Sequence, residues 1–326
     1  MKSLVTGATG LLGNNLVRLL LGQGDAVRVL ARPGSEPRAL AGLDVELRQG
    51  GLHQRDVVQG AVLGVDRVFH AAARVWIGRR DGAEARAVNV EGTRVVARAC
   101  RAAGVRMVHV STVDALGYGT RDHPAAEDEA PGPDHGVPYV ASKRAADRVV
   151  LSEIDEGLDA VSVHPVYLLG PWDWKPSSGR LLLAAARGKT LVAAPGGNDF
   201  AHAEDVAAGT LAAAERGRTG DRYVLGGEPL SYREALELFA RVTGGPRPLF
   251  TAPAPLVMAG GLAGDLWGAL RGREPELNSG IARLSCLPHH FSDRRAREEL
   301  GYRSRPAEAA ARDAWCWFLE HGYART

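Results

Sequence analysis

Tyr139 and Lys143 stand four residues apart in Tyr139-Val140-Ala141-Ser142-Lys143. Residues at that spacing share a helix face, so a phenol and an ammonium can point at one ligand. A free phenol titrates at about 10, and a nearby cation favours its ionised form. The pair is therefore expected to poise Tyr139 for proton transfer near neutrality. Chance is a poor explanation: seven tyrosines, each with about a 1% chance of Lys four residues on, give about 0.1 accidental matches. A second group is Ser111-Thr112, which closes the apolar run Val108-His109-Val110. Two hydroxyls at the carboxyl end of a strand can hydrogen-bond a substrate carbonyl, although such a pair by itself is ordinary turn chemistry. The third group is Thr6-Gly7-Ala8-Thr9-Gly10-Leu11-Leu12-Gly13. It follows a strand and opens a helix, the setting of a dinucleotide site. Gly7 makes the turn, Gly10 lets the backbone approach a pyrophosphate, and Gly13 lets helix and strand pack closely. The helix start then offers free N–H groups to the phosphates.

The next strand ends in Val29-Leu30-Ala31-Arg32-Pro33-Gly34-Ser35. An acidic residue here would select NAD by holding the ribose 2′-hydroxyl, and an Arg suits the 2′-phosphate of NADP. Arg32, with Ser35 and Arg38 near it, makes NADP the expected cofactor and NAD the less favoured one. Arginine is abundant, however. Of 40 basic residues only Lys2, Lys143, Lys175 and Lys189 are lysine. Coding bias accounts for the arginines and discounts Arg32. The same bias sharpens Lys143, because a compact ammonium sits beside a phenol where a planar fork does not.

These groups need a scaffold. Short apolar runs alternate with helical patterns through residue 165: strands over Ser3–Thr6, Ala26–Ala31, Val45–Arg48, Arg67–His70, Arg106–Ser111 and Ala160–His164, and helices over Leu11–Gly22, Val57–Leu63, Ala83–Ala103 and Tyr139–Glu153. The pattern predicts an α/β fold with a doubly wound parallel sheet, of the Rossmann type. Residues 1–165 form the NADP-binding domain, with 200–225 returning to it. Residues 166–326 are mostly a smaller substrate lobe. In that lobe 171–199 reads as loop plus a helix over Gly179–Arg187, and Ser231–Thr243 as a helix opened by a capping box.

The remaining signals exclude more than they add. Net charge is +2, which gives no support to a nucleic-acid partner. Cys100, Cys286 and Cys316 form no CxxC pair, so a reducing, cytoplasmic setting is expected. The chain opens on a strand and a glycine turn rather than a signal peptide. Leu256 to Leu270 is apolar but too short for a membrane span; it reads as a packed or interface helix, with membrane-surface contact the lesser alternative, so no membrane partner is expected. Ten histidines include one adjacent pair, His289-His290, and no metal motif. Gly188-Lys189-Thr190 lacks the first glycine of a P-loop, since position 183 is Leu, and no G-x-S-x-G elbow is present.

With its three motifs, the chain resembles the extended short-chain dehydrogenases/reductases of the NAD-dependent epimerase/dehydratase family, and within them the branch of dihydroflavonol reductase-like and hopanoid-associated sugar epimerase-like proteins. Further marks are Phe69-His70-Ala71-Ala72-Ala73, Asn89-Val90-Glu91-Gly92-Thr93, His164-Pro165-Val166, Gly170-Pro171-Trp172-Asp173 and Ala203-Glu204-Asp205-Val206-Ala207. The resemblance implies that Tyr139 is the general acid/base, that Lys143 binds the nicotinamide ribose and lowers the Tyr139 pKa, and that Thr112 is the catalytic hydroxyl. It places Ala71, Ala72, Ala73, Asn89, His164, Pro165 and Val166 beside the cofactor. The chain departs from the family in Gly50-Gly51-Leu52, where Gly51 replaces the Asp that touches adenine and leaves the Leu52 backbone to contribute. Asp114 stands where the branch has a small residue. Ser111, Asp114, Trp76, Trp172 and Trp174 are expected on the substrate side, the tryptophans suiting a flat or apolar molecule. The implied activity is NADPH-dependent reduction of a ketone or aldehyde, or its reverse. The alternatives are a nucleotide-sugar epimerase or dehydratase with retained NAD, and a non-catalytic dinucleotide sensor. By fold analogy the helices Ala83–Ala103 and Tyr139–Glu153 offer a homodimer face.

Overall fold

The computed structural model describes every residue except 76–81, 273, 274, 276 and 326, so Trp76 lies outside the described residues. The chain begins with β1 (Lys2–Thr6), α1 (Leu11–Gly22), β2 (Ala26–Ala31), β3 (Val45–Gln49), α2 (Arg55–Val62), β4 (Arg67–His70), α3 (Gly82–Arg86), α4 (Gly92–Ala103), β5 (Arg106–Val110), α5 (Pro138–Asp155) and β6 (Ala160–Pro165). It continues with β7 (Tyr167–Leu169), α6 (Gly179–Ala186), β8 (Val192–Ala193), β9 (Gly197–His202), α7 (Ala203–Arg216), β10 (Arg222–Leu225), β11 (Glu228–Ser231) and α8 (Tyr232–Thr243). The last elements are β12 (Phe250–Thr251), α9 (Ala254–Arg271), α10 (Ser279–Ser285), β13 (Pro288–His289), α11 (Arg294–Leu300) and α12 (Ala307–Glu320).

Seven strands form one sheet in the order β10-β6-β5-β4-β1-β2-β3, and all its pairings are parallel. This is the doubly wound α/β arrangement expected from the alternating pattern. The order reverses between β1 and β4, and the crevice at the carboxyl ends of those strands is where such sheets bind ligands. Helix α7 packs on α1, β5 and β6, and β10 then extends the sheet beyond β6. One apolar core joins β1, β2, α1, α7 and β10 around Leu16, Phe69, Val163 and Tyr223. A second lies in the C-terminal part around Phe200, Phe239, Trp317 and Phe318.

Two elements differ from the sequence reading. The helix expected over Ala83–Ala103 is interrupted by a π turn at Ala87–Glu91. A wide turn of this kind is common at functional sites, and here it carries Asn89 inward. The segment expected as loop before residue 200 contains β9, which pairs with β7, β11 and β13. Its opening glycines hide it: a Cβ on Gly197 would lie 2.6 Å from the Leu230 carbonyl oxygen. Asp199 ties the strand down, accepting from His290 Nδ1 at 2.7 Å and from the Phe291 N–H at 2.8 Å.

Candidate active site

The glycine turn is built on backbone that no side chain could share. Gly7 has φ +76°, and a Cβ there would meet the Ala71 carbonyl and the Ala72 nitrogen at 2.6 Å. A Cβ on Gly13 would strike the Gly7 carbonyl. Gly10 caps α1 without a side-chain hydrogen bond, so the first N–H groups of the helix remain for a ligand. Together, the uncapped helix start and the cradle a Cβ would fill fit the pyrophosphate of a dinucleotide.

A directed chain of hydrogen bonds leads from this turn to the Tyr139 helix. The Ala72 N–H donates to Thr6 Oγ1 at 3.2 Å, and Thr6 Oγ1 lies 2.8 Å from His70 Nδ1. His70 Nε2 lies 3.0 Å from Thr93 Oγ1, which itself donates to the Asn89 carbonyl. His70 is thus assigned as the Nε2–H tautomer, accepting from Thr6 and donating to Thr93. Burial, with the His109 and Lys143 charges, keeps it neutral, far below the usual histidine range. The Asn89 amide nitrogen donates to the Arg74 carbonyl and to Ser142 Oγ, and Ser142 Oγ donates to the Tyr139 carbonyl. Asn89 therefore braces the loop after β4 against α5.

Helix α5 starts at Pro138, which suits a first helical turn, and brings Tyr139 and Lys143 to the end of β5. Lys143 is buried, and its Nζ donates to the Val110 carbonyl at 2.7 Å. Burial pulls its ammonium down to about 8, while the Asp147 carboxylate works to raise it. The phenol of Tyr139 departs from expectation: burial and the Asp114 carboxylate push it above its ordinary value, and a hydrogen bond with Thr112 pulls the other way. The expected lowering by Lys143 is not what this environment does: desolvation dominates, and the ammonium is turned to Val110. Thr112 Oγ1 donates to Asp114 Oδ2 at 3.2 Å and accepts the Asp114 N–H at 3.3 Å. It shares one corner with Tyr139 and Asp114.

Ser111 faces away from that corner. It donates to Asp147 Oδ2 at 2.9 Å, and His109 Nε2 holds Asp147 Oδ1 at 3.1 Å. This corrects its expected place on the substrate side. Burial alone would raise the Asp147 carboxyl, but the hydrogen bond from His109 and the His164, His109 and Lys143 charges hold it well below the carboxylate range. Lys143 thus feels the charge of a half-buried carboxylate four residues further along its own helix. His164 is also buried, its Nδ1 3.1 Å from the Thr112 carbonyl. Pro165 and Val166 follow it, and the Val166 N–H donates to Leu225.

Opposite Tyr139, Asp114 Oδ1 lies 3.6 Å from His289 Nε2. The Tyr118 ring meets His289 edge-on at 4.9 Å, and burial with the Asp114 charge pushes the Tyr118 phenol up to about 12. Arg144 fixes this corner, donating to the carbonyls of Ala115 and Leu116 at 3.1 and 2.9 Å, and to that of Gly132. Trp172 and Trp174 do not join it. Trp174 stacks edge-on against Trp317 at 4.9 Å, and the Arg18 guanidinium carbon sits 3.2 Å over Trp172. Their expected place at the substrate is corrected to the C-terminal core, where aromatic packing claims them. At the other end of the cleft Arg32 is exposed and unpaired among the described residues, whereas Arg38 is committed to Glu36 at 2.8 Å. Ser35 closes the turn by donating its N–H to the Arg32 carbonyl at 3.1 Å. Gln54 Oε1 accepts the Gly51 N–H at 2.7 Å, and Leu52 packs against Gly92. No group of three or more metal-ligating side chains occurs among the described residues.

Sequence reasoning missed Asp147, His109, Tyr118, Arg144 and His289. Asp147 continues the four-residue step from Tyr139 to Lys143, a signal that was present. His289 comes from a distant segment, and nothing local marks which histidine meets Asp114.

A glycine cradle at the switch point of a parallel sheet, next to a Tyr/Lys/Thr corner, defines a dinucleotide-dependent enzyme. Residues 3–226 match the model of the NAD dependent epimerase/dehydratase family. The chain belongs to that family, the extended short-chain dehydrogenases/reductases, and is an NAD(P)-dependent oxidoreductase. It is 38% identical over 330 residues to sterol demethylase protein B of Methylococcus capsulatus, covering 99% of both chains. It is 34% identical over 319 residues to 2-alkyl-3-oxoalkanoate reductase of Stenotrophomonas maltophilia, covering 93% of this chain and 94% of that one. The crystal structure of gox2253 superposes with a TM-score of 0.87 at 33% identity, covering 99% of both chains.

Proposed function

We propose that the chain is an NADPH-dependent reductase of a ketone carried on a large apolar body. The observation that carries this reading is the convergence of Thr112, Tyr139 and a buried Lys143 at the end of β5, beside the glycine turn. Residues 1–165 with 200–225 are the dinucleotide-binding part in this reading, and most of 166–326 is the substrate lobe. Thr6, Gly7, Thr9, Gly10, Leu11, Leu12 and Gly13 hold the pyrophosphate. Leu52 and Ala71–Ala73 line the adenine and ribose side, with Asn89 bracing them and His164, Pro165 and Val166 closing the nicotinamide end. Arg32 and Ser35 receive the 2′-phosphate. Bound NADPH supplies the hydride. Thr112 and Tyr139 hydrogen-bond the substrate oxygen, and Tyr139 gives it a proton as charge develops there. Lys143, four residues along the same helix, holds the nicotinamide ribose. The raised phenol suits an acid that keeps its proton until the oxygen calls for it, and the same groups run the reverse oxidation.

The substrate class is supported by the names of two relatives, which carry a sterol and a 2-alkyl-3-oxoalkanoate. Both have an apolar body that bears an oxygenated carbon, the second as an anionic amphiphile. The test is steady-state kinetics with NADPH and NADH on ring and long-chain ketones. Tyr139→Phe is expected to lower kcat by about 100-fold or more with little change in NADPH affinity. Arg32→Glu is expected to weaken NADPH by about tenfold or more and leave NADH unaffected. Full turnover in Tyr139→Phe would overturn the proton-transfer assignment, and an unchanged NADPH preference in Arg32→Glu would overturn the cofactor assignment.

A further inference from the structure

Helix α9 faces its small residues inward and its large apolar residues outward. Gly261 and Gly268 are its buried positions. A Cβ on Gly261 would lie 2.6 Å from that of Ala282, and one on Gly264 would strike the Leu277 carbonyl. These glycines hold α9 close against α10 and leave the bulky side chains on the far side. Leu256, Leu262, Leu266, Trp267 and Leu270 are between 55% and 78% exposed. Just before the helix in sequence, Leu249 and Phe250 are also exposed, and Phe250 leads strand β12 along β8. Among the residues exposed from Pro248 to Gly272, Arg271 alone is charged. Its guanidinium carbon lies 4.1 Å over the Trp267 ring. Asp265 points the other way, its Oδ1 accepting the Ser279 N–H at 3.2 Å. A surface helix in water carries its charges on that outer face, and an apolar patch of this extent marks an interaction surface.

We propose that this face seats the enzyme on an anionic lipid bilayer. The helix lies in the plane of the interface, its leucines and Trp267 at the acyl boundary and Arg271 among the phosphates. Exposed Lys189 and Arg247, which precede the apolar stretches at Leu191 and Leu249, add cations at the margin. The sign of these charges separates a bilayer from a second copy of the chain. A like face would bring a cationic margin with no exposed acid on α9 to pair it, whereas head-group phosphates neutralise it. None of the described helices is long and apolar enough to cross a membrane, so the contact is one of docking.

The seat adjoins the active site. Helix α10, on which α9 packs, places Arg283 Nη1 2.8 Å from the carbonyl of His135 in the loop before Tyr139. The chain after α10 delivers His289 to Asp114. An amphiphilic ketone held in the bilayer would then lie on the side of the fold whose elements border the Tyr139 corner; this consequence alone rests on the reductase reading.

The experiment is flotation of the full chain with vesicles of phosphatidylglycerol and phosphatidylcholine, and with phosphatidylcholine alone. The wild type is expected to float with the anionic vesicles. The double variant Leu266→Gln, Leu270→Gln should partition at least about tenfold more weakly, and Arg271→Gln about fivefold more weakly. Sedimentation velocity should show one oligomeric state for all three, and melting curves should show that each is folded. A wild type that stays with the unbound fraction, or a folded double variant that floats equally well, overturns the proposal. So does a wild-type dimer that the double variant splits, because the face is then a protein contact. Flotation needs no turnover: failure to float with intact NADPH-dependent turnover removes the membrane seat alone, and flotation without turnover removes the reductase reading alone.

Discussion

Of the chain's four lysines, Lys143 alone is buried, and its neighbours explain how a charge is kept there. Burial lowers the ammonium to about 8, and the Asp147 carboxylate is the group that resists. His109 and Ser111 orient that carboxylate. Removing the anion lets burial act unopposed, so the ammonium loses its proton at a lower pH. Asp147→Asn is expected to move the high-pH limb of kcat/KM toward acid and to lower kcat/KM at neutrality by about tenfold, read from a pH–rate profile. A limb that stays in place would contradict the support role. The Tyr139 and Lys143 pair was legible because its four-residue spacing is rare by chance, whereas Thr112 belongs to a hydroxyl pair that alone is ordinary turn chemistry and was singled out only by the family resemblance. Asp114, Tyr118 and His289 form their corner only once β13 returns to β9, so no local spacing announces it. The tryptophans misled for a related reason: aromatic side chains near a cleft segment can equally pack inward, and here Trp317 and His321 receive them.

Among the elements, the β1–α1 turn depends on the absence of side chains. A Cβ on Gly13 would strike the Gly7 carbonyl, which is itself part of the cradle. Gly13→Ala is therefore expected to push α1 off β1, weakening NADPH binding by about tenfold or more and lowering the melting temperature. Fluorescence titration and a thermal melt check both, and unchanged values in each would show that the contact is relaxed at no cost. Strands and helices of the first half were readable because a parallel sheet covered on both faces buries its strands at nearly every position, as β4 and β6 do. The π turn was not readable, since one wide turn barely alters the apolar period of the helix that contains it. Strand β9 was hidden because its glycines and Asp199 serve close packing and hydrogen bonding rather than β propensity.

At the scale of the whole molecule, three histidines sit buried behind the sheet's carboxyl edge, and His70, His109 and His164 are each pushed below 6.5, His109 to about 4. Burial is the leading cause in all three. The unfolded chain binds protons at these groups more readily than the folded one, so their contribution is complete above pH 6.5 and is lost as pH falls toward about 4. The melting temperature should decline across that window, and a flat profile would contradict neutral burial. The doubly wound parallel sheet followed from alternation and right-handed crossovers, whereas the outward face of α9 did not, because composition cannot tell an apolar helix packed inward from one packed through its glycines. Hydride transfer to a ketone, with Tyr139 supplying the proton, is tested most directly with NADPH deuterated at nicotinamide C4 on its transferable face. Incubated with a ring or long-chain ketone, the purified enzyme should yield an alcohol carrying one deuterium on the carbinol carbon by mass spectrometry, and Tyr139→Phe should yield almost none. Failure to label any ketone with either C4 epimer of the deuterated cofactor, in protein that carries retained NAD(H) and interconverts a nucleotide sugar instead, would contradict the account.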